Sequence, residues 1–306
     1  MKVFFIIIAF HISFLGSTQI PFVKRGKIER LDSLNSQFVS SRNVDVWLPD
    51  NYNNNNKYPV LYMHDGQMLF DTTVAWNKMS WDVDDVASKL IDEGKIKEFI
   101  IVAIWNDGKQ RHIDYFPQKP YNLLSFSQKN YCSEQLNDRG FSNLEYFSPN
   151  SDNYLKYIIY ELKPKIDNKY STFKDSSHTF IAGSSMGGLI SIYALCEYPN
   201  IFGGAICMST HWTGIFNNKN NPIPKVFLDY LAQNLPNPKN HKIYFDYGNK
   251  TLDQLYPIHQ KKVDKLMKSK GYDKKSWITK FYPGENHSEL AWHKRFDQPL
   301  LFLFGM

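Results

Sequence analysis

Two serines stand side by side between glycines in HTFIAGSSMGGLISIYAL, residues 178–195. The pattern Gly-x-Ser-x-Gly fits in one register only, Gly183-Ser184-Ser185-Met186-Gly187, so Ser185 is the candidate nucleophile and Ser184 fills the preceding position. A serine hydroxyl is weakly nucleophilic at neutral pH and needs a base, which in turn needs an orienting carboxylate. His287 is the candidate base: in WITKFYPGENHSELAWHKRF it follows a strand pattern and a Pro-Gly turn and precedes a helical run. His293 is its rival, but its position predicts a place about one and a half turns into that helix. His178, His241 and His259 fall beside the wrong elements. For the acid, KIYFDYGNKTLDQLYP offers Asp253 in the loop after a strand, with Asp246 inside the strand as the alternative. Asp253 also reads as a helix N-cap, a role compatible with the first.

Acyl transfer through such a group also needs two N–H donors for the developing oxyanion, each worth about 3 kcal/mol in the transition state. The Met186 amide, directly after the nucleophile, is one. The Gln67 amide in YPVLYMHDGQMLFD is the other, with Gly66 letting the backbone turn toward the serine.

These groups need elements to hold them. HTFIAG reads as a buried strand and MGGLISIYALCEYP as a helix, which puts Ser185 on the sharp strand-to-helix turn known as a nucleophile elbow. Further strands are predicted at VDVWLP, YPVLYMHD, EFIIVAIW, FGGAICMS, KIYFDYG and WITKFYPG. Helices are predicted to begin near Asp82, Ser151, Met186, Pro224, Asp253 and Ser288. Nearly continuous apolar strands alternating with helices imply a mostly parallel central sheet covered on both faces, an α/β fold. The polar and aromatic stretch 106–150 breaks the rhythm and is expected to be an insertion lining the site. STHW, through His211 and Trp212, is expected to form a substrate-binding lip at the same sheet edge.

The chain has 306 residues, a formal net charge of +6 and 42% hydrophobic residues, enough for one large domain over 19–306. The lysines are scattered and no nucleic-acid motif appears, so a nucleic-acid partner is not expected. MKVFFIIIAFHISFLGST, with one lysine and an apolar run from Val3 to Leu15, has the layout of a signal peptide over 1–18. Export to the periplasm or beyond follows as an expectation, without stable membrane insertion of the remainder. Cys132, Cys196 and Cys207 lack zinc spacing; Cys196 and Cys207, which lie in apolar runs, read as packing residues, and no metal or cofactor is expected. The Asn-x-Ser/Thr triplets at Asn249 and Asn286 fall inside the acid and base loops and read as chance matches.

YPVLYMHDGQMLFD, GSSMGG, IYFDYG followed by TLD, and YPGENHSELAWHKR with terminal PLLFLFG resemble, in this order, the esterase family of α/β-hydrolases. That family includes esterase D, enterochelin esterases, feruloyl and acetylxylan esterases and mycolyltransferases. RHIDYFP also resembles its Arg-x-x-Glu-Tyr-x-Pro segment, with Asp114 where Glu is usual. The resemblance implies an α/β-hydrolase fold, Ser185 as nucleophile, His287 as base, Asp253 as acid and Gln67 in the oxyanion loop. Together with the export expected from the leader, it implies a secreted serine carboxylic-ester hydrolase acting on small-molecule or carbohydrate-linked esters, siderophore esters included. An acyltransferase with the same triad, or a non-catalytic ligand-binding relative, is the alternative.

Overall fold

The computed structural model describes residues 19–31, 35–138 and 147–306. The leader expected over 1–18 lies outside the described residues. Eight strands form one sheet: β1 (Lys27–Leu31), β2 (Val44–Leu48), β3 (Val60–His64), β4 (Ile100–Ile104), β5 (Thr179–Ser184), β6 (Gly204–Met208), β7 (Lys242–Tyr247) and β8 (Trp277–Phe281). Their order is β1-β2-β4-β3-β5-β6-β7-β8. The first two pairings are antiparallel and the other five parallel. All seven strands read from the sequence form; β1 is an addition at the antiparallel edge.

The helices are α1 (Val83–Asp92), α2 (Arg111–Tyr115), α3 (Gln118–Asn122), α4 (Phe126–Asn137), α5 (Ser151–Lys156), α6 (Lys163–Lys169), α7 (Met186–Glu197), α8 (Ile223–Asn234), α9 (Pro257–Ser269), α10 (Glu289–His293) and α11 (Asp297–Phe304). Side chains alternate across a strand with period two, and the core divides accordingly. Val60 and Tyr62 of β3 pack on one face with Leu189 of α7 and Phe227 of α8. Leu61 and Met63 pack on the other with Val83 of α1, Trp292 of α10 and Leu300 of α11. Central strands β2 to β6 are buried at every position and therefore largely apolar, which is why they read as nearly continuous runs; the exception in β2, Asp45, is paired with Arg30.

Helix α7 is buried on every side except at Glu197, matching its apolar sequence. It lies directly on β5 because two glycines meet there. A Cβ on Gly183 would stand 2.6 Å from the Gly187 carbonyl carbon. Stretch 106–150 supplies α2, α3 and α4 rather than an open loop, and Phe116, Tyr121 and Phe147 pile edge to face as core.

Replacement Gly183→Ala should separate β5 from α7 and cost about 1–3 kcal/mol, the usual range for overpacking a dense core. Urea unfolding measures it, and an unchanged midpoint would refute this close packing.

Candidate active site

Strand β5 ends at Ser184 and α7 begins at Met186, so Ser185 alone makes the turn. Its backbone sits at φ 58°, ψ −121°, a region costly for any residue with a side chain. Neighbours hold it there. The Ser185 N–H donates to Met208 O at 2.9 Å, while its carbonyl accepts from His211 and Leu189 N–H, both at 3.1 Å. Ser184 is an ordinary ladder residue paired with Met208 of β6. The strained turn lifts only the Ser185 side chain off the sheet edge, beside the first N–H groups of α7.

Asp253 lies on the short turn after β7, and its carboxylate is fully buried. It accepts from His287 Nδ1 at 2.6 Å, from Ser209 Oγ at 2.7 Å and from the Gly248 N–H at 2.6 Å. Burial alone would raise its pKa, but the bonds from His287, Ser209 and Gly248 hold the carboxyl below the usual range. The acid and base loops are stitched together. Asn249 and Lys250 N–H groups both donate to Glu285 O, and a side chain on Gly248 would strike that same carbonyl. His287 N–H donates to Thr251 Oγ1, and Ser288 caps α10 immediately afterwards.

The alternatives go elsewhere. Asp246 pairs with Arg295 at 3.0 Å and accepts from Ser209 N–H; His293 Nδ1 contacts Trp81 O at 2.7 Å. Asn249 and Asn286 both use their side-chain oxygens inside these loops, accepting from Gly284 N–H and Ser288 Oγ. Tyr256 lies beside the candidate base, its ring edge-on to the His287 imidazole at 5.8 Å between centroids. Among the described residues no direct hydrogen bond joins Ser185 to His287, a contact that commonly tightens only when substrate binds.

Gln67 lies on the turn Gly66–Met68 after β3, opened by Asp65 at φ 59°. Asp65 accepts from Arg111 Nε and Nη2 and from Asn106 Nδ2, all at 2.7 Å, and its own N–H donates to Tyr115 Oη. Burial would raise the Asp65 pKa, but Arg111 holds it below the ordinary value. Asn106 N–H also donates to Gln67 Oε1. The near end of 106–150 thus clamps the Gln67 turn, a role that no spacing signal in the sequence revealed. Gln67 and Met186 each occupy a first helical turn, where backbone N–H groups lack intrahelical acceptors.

His211 and Trp212 do not form a lip. Trp212 is 2% exposed, donates its indole N–H to Gln260 and packs on Phe245. His211 lies beneath the site, with Nδ1 2.7 Å from Tyr256 Oη. Both follow an apolar strand, and the turn folds them inward rather than over the edge. His64 and His112 are buried as well, and burial pushes each to a pKa of about 3. Burial likewise holds His211 well below its usual value. Cys132, Cys196 and Cys207 are all buried and unpaired. Among the described residues, no helix is long and apolar enough to cross a membrane, and no three His, Cys, Asp or Glu side chains are grouped to hold a metal.

Known proteins share this architecture. The profile of the family described as "Putative esterase" matches residues 36–303. The Bacillus subtilis protein YbbA is 21% identical over 282 residues, covering 89% of this chain and 96% of its own length. A solved ferulic acid esterase superposes with a TM-score of 0.63 at 21% identity, covering 92% of this chain and 98% of that one. The enterobactin esterase of Shigella flexneri superposes with a TM-score of 0.62 at 16% identity, covering 94% of this chain and 60% of that one. Likeness at this identity fixes the α/β-hydrolase fold.

The buried histidines predict a pH dependence. Their folded pKa values lie below the unfolded value of about 6.5, so between about pH 3 and 6.5 the unfolded chain binds more protons. Stability is therefore present above about pH 6.5 and falls on acidification, by about 1.4 kcal/mol per pH unit for each histidine. Urea unfolding from pH 7 to 5 should give a shallower slope in His64→Gln by about that amount; an identical slope would contradict a neutral, buried His64.

Proposed function

The chain belongs to the "Putative esterase" family, and from that premise we propose that it is a serine carboxylic-ester hydrolase working through Ser185, His287 and Asp253. The observation that carries the reading is the pairing of buried Asp253 with His287 Nδ1 at 2.6 Å, close to the strained turn that presents Ser185. Asp253 keeps the proton on Nδ1 and leaves Nε2 as the base. His287 takes the Ser185 proton as Oγ attacks the ester carbonyl. It then returns that proton to the departing alcohol, leaving an acyl-enzyme. Water, deprotonated by the same imidazole, attacks the acyl carbon; the bond to Oγ breaks, and His287 gives Oγ its proton back. The Met186 and Gln67 amides hold the oxyanion, and the Arg111–Asp65–Asn106 clamp keeps the second of them in place.

The substrate class we propose is an ester of an aromatic acid, linked to carbohydrate or within a siderophore, met after export by the 1–18 leader. Two relatives support it by what they are called, a ferulic acid esterase and an enterobactin esterase. Trp76 supports it physically. It is 78% exposed, and its neighbour Asn77 donates to Glu289, two residues past the base. An indole face there offers a sugar or aryl ring a stacking surface.

Replacement Ser185→Ala should lower turnover of p-nitrophenyl and feruloyl esters by about 10⁴-fold or more with the circular dichroism spectrum unchanged. An organophosphate should label wild-type Ser185, and an unlabelled serine with undiminished turnover would end the proposal. Trp76→Ala should raise KM for feruloyl esters about tenfold while leaving acetyl esters alone, since one stacked ring contributes roughly 1 kcal/mol; equal effects on both would remove Trp76 from the acyl site.

A further inference from the structure

Ser209 follows β6 at φ 42°, the left-handed region where a side chain is uncommon and glycine sits at little cost. The residue is completely buried, and its N–H points at Asp246, 2.9 Å from the backbone O and 3.1 Å from Oδ1. Its hydroxyl meets three groups: Trp292 Nε1 at 3.0 Å, Arg295 Nη2 at 2.9 Å and Asp253 Oδ2 at 2.7 Å. The hydrolytic steps above make no use of that hydroxyl.

Valence fixes the direction of these bonds. An indole N–H and a guanidinium can only donate, and a hydroxyl has two lone pairs and one proton. With both lone pairs taken, the Ser209 proton has one destination, Asp253 Oδ2. That oxygen also accepts from the Gly248 N–H at 2.6 Å, so its own two lone pairs both face donors. Oδ2 therefore has no place for a proton, and Oδ1 is left to His287 Nδ1 at 2.6 Å. The same cluster reaches the base. The Trp292 ring lies edge to face with the His287 imidazole, 4.9 Å between centroids.

We propose that Ser209 is a positioning residue of the triad: its hydroxyl, oriented by Trp292 and Arg295, locks the Asp253 carboxylate so that Oδ1 alone serves His287. The proposal rests on the esterase reading above. Without that donor the far oxygen of Asp253 keeps only the Gly248 N–H, and the carboxylate is free to twist about its Cβ–Cγ bond. The imidazole then loses the partner that fixes its tautomer and orientation. Acylation and deacylation both use that imidazole, so both slow together.

Ser209→Ala and Ser209→Gly in the full chain test this, the glycine fitting the backbone at least as well as serine does. In each, kcat for p-nitrophenyl acetate should fall about tenfold to a hundredfold while KM stays within about twofold and the circular dichroism spectrum is unchanged. The low-field proton NMR resonance of His287 Nδ1–H, identified by its loss in His287→Gln, should broaden or vanish in both. Wild-type kcat in Ser209→Gly, or a lower kcat with that resonance unmoved, would overturn the proposal. The resonance needs no turnover. If Ser185→Ala and wild type hydrolyse esters alike, the esterase reading falls, while the resonance still reports the hold of Ser209 on Asp253.

Discussion

The site depends on one backbone conformation. Ser185 occupies a region of φ and ψ that costs about 1–3 kcal/mol, and it persists because its neighbours over-determine it. Its N–H is committed to β6, and its carbonyl is shared between α7 and His211 in the loop after β6. A sheet with helices on both faces supplies the rigidity to hold that strain, and the Gly183–Gly187 contact brings the first turn of α7 against the strand end. Relaxing the turn would let the hydroxyl drop back toward the sheet and lose the α7 amides together.

A second constraint is the burial of charge behind the site. Asp246 and Asp253 are both fully buried and lie close enough to disfavour each other's ionisation. Ser209 stands between them, its N–H given to Asp246 and its hydroxyl to Asp253. Arg295 neutralises Asp246 and also donates to Ser209 Oγ. The division of labour between the two aspartates follows from these partners. Asp246 faces a guanidinium that cannot lose its proton, whereas Asp253 faces an imidazole that can exchange one.

Much of this was legible in the sequence, for physical reasons. Strands buried on both faces are largely apolar, so β2 to β7 stood out as runs, while β8, partly exposed, was marked by the Pro-Gly turn that follows it; β1, half exposed at an antiparallel edge and reading KIERL, carried no such pattern. The glycines around Ser185 were readable because a close helix–strand approach excludes side chains. Asp253 and His287 were readable from their places after β7 and β8. The Tyr256–His211 contact and the Arg111–Asp65 pair were hidden because they join segments 45 and 46 residues apart. Trp212 misled, since an aromatic residue after a strand looks the same in sequence whether the following turn sends it outward or into the core.

The joint between Gly248, Asn249, Lys250 and Glu285 has a consequence for how such a scaffold diversifies. Where two loops share backbone bonds at that spacing, lengthening one without the other would tear the acid from its histidine, so this wall is frozen in length. Among the described residues, the opposite wall, which begins at Asn106 and Arg111, shares no backbone hydrogen bond with the acid and base loops. New specificities are therefore free to accumulate there by insertion, with the chemistry opposite left intact.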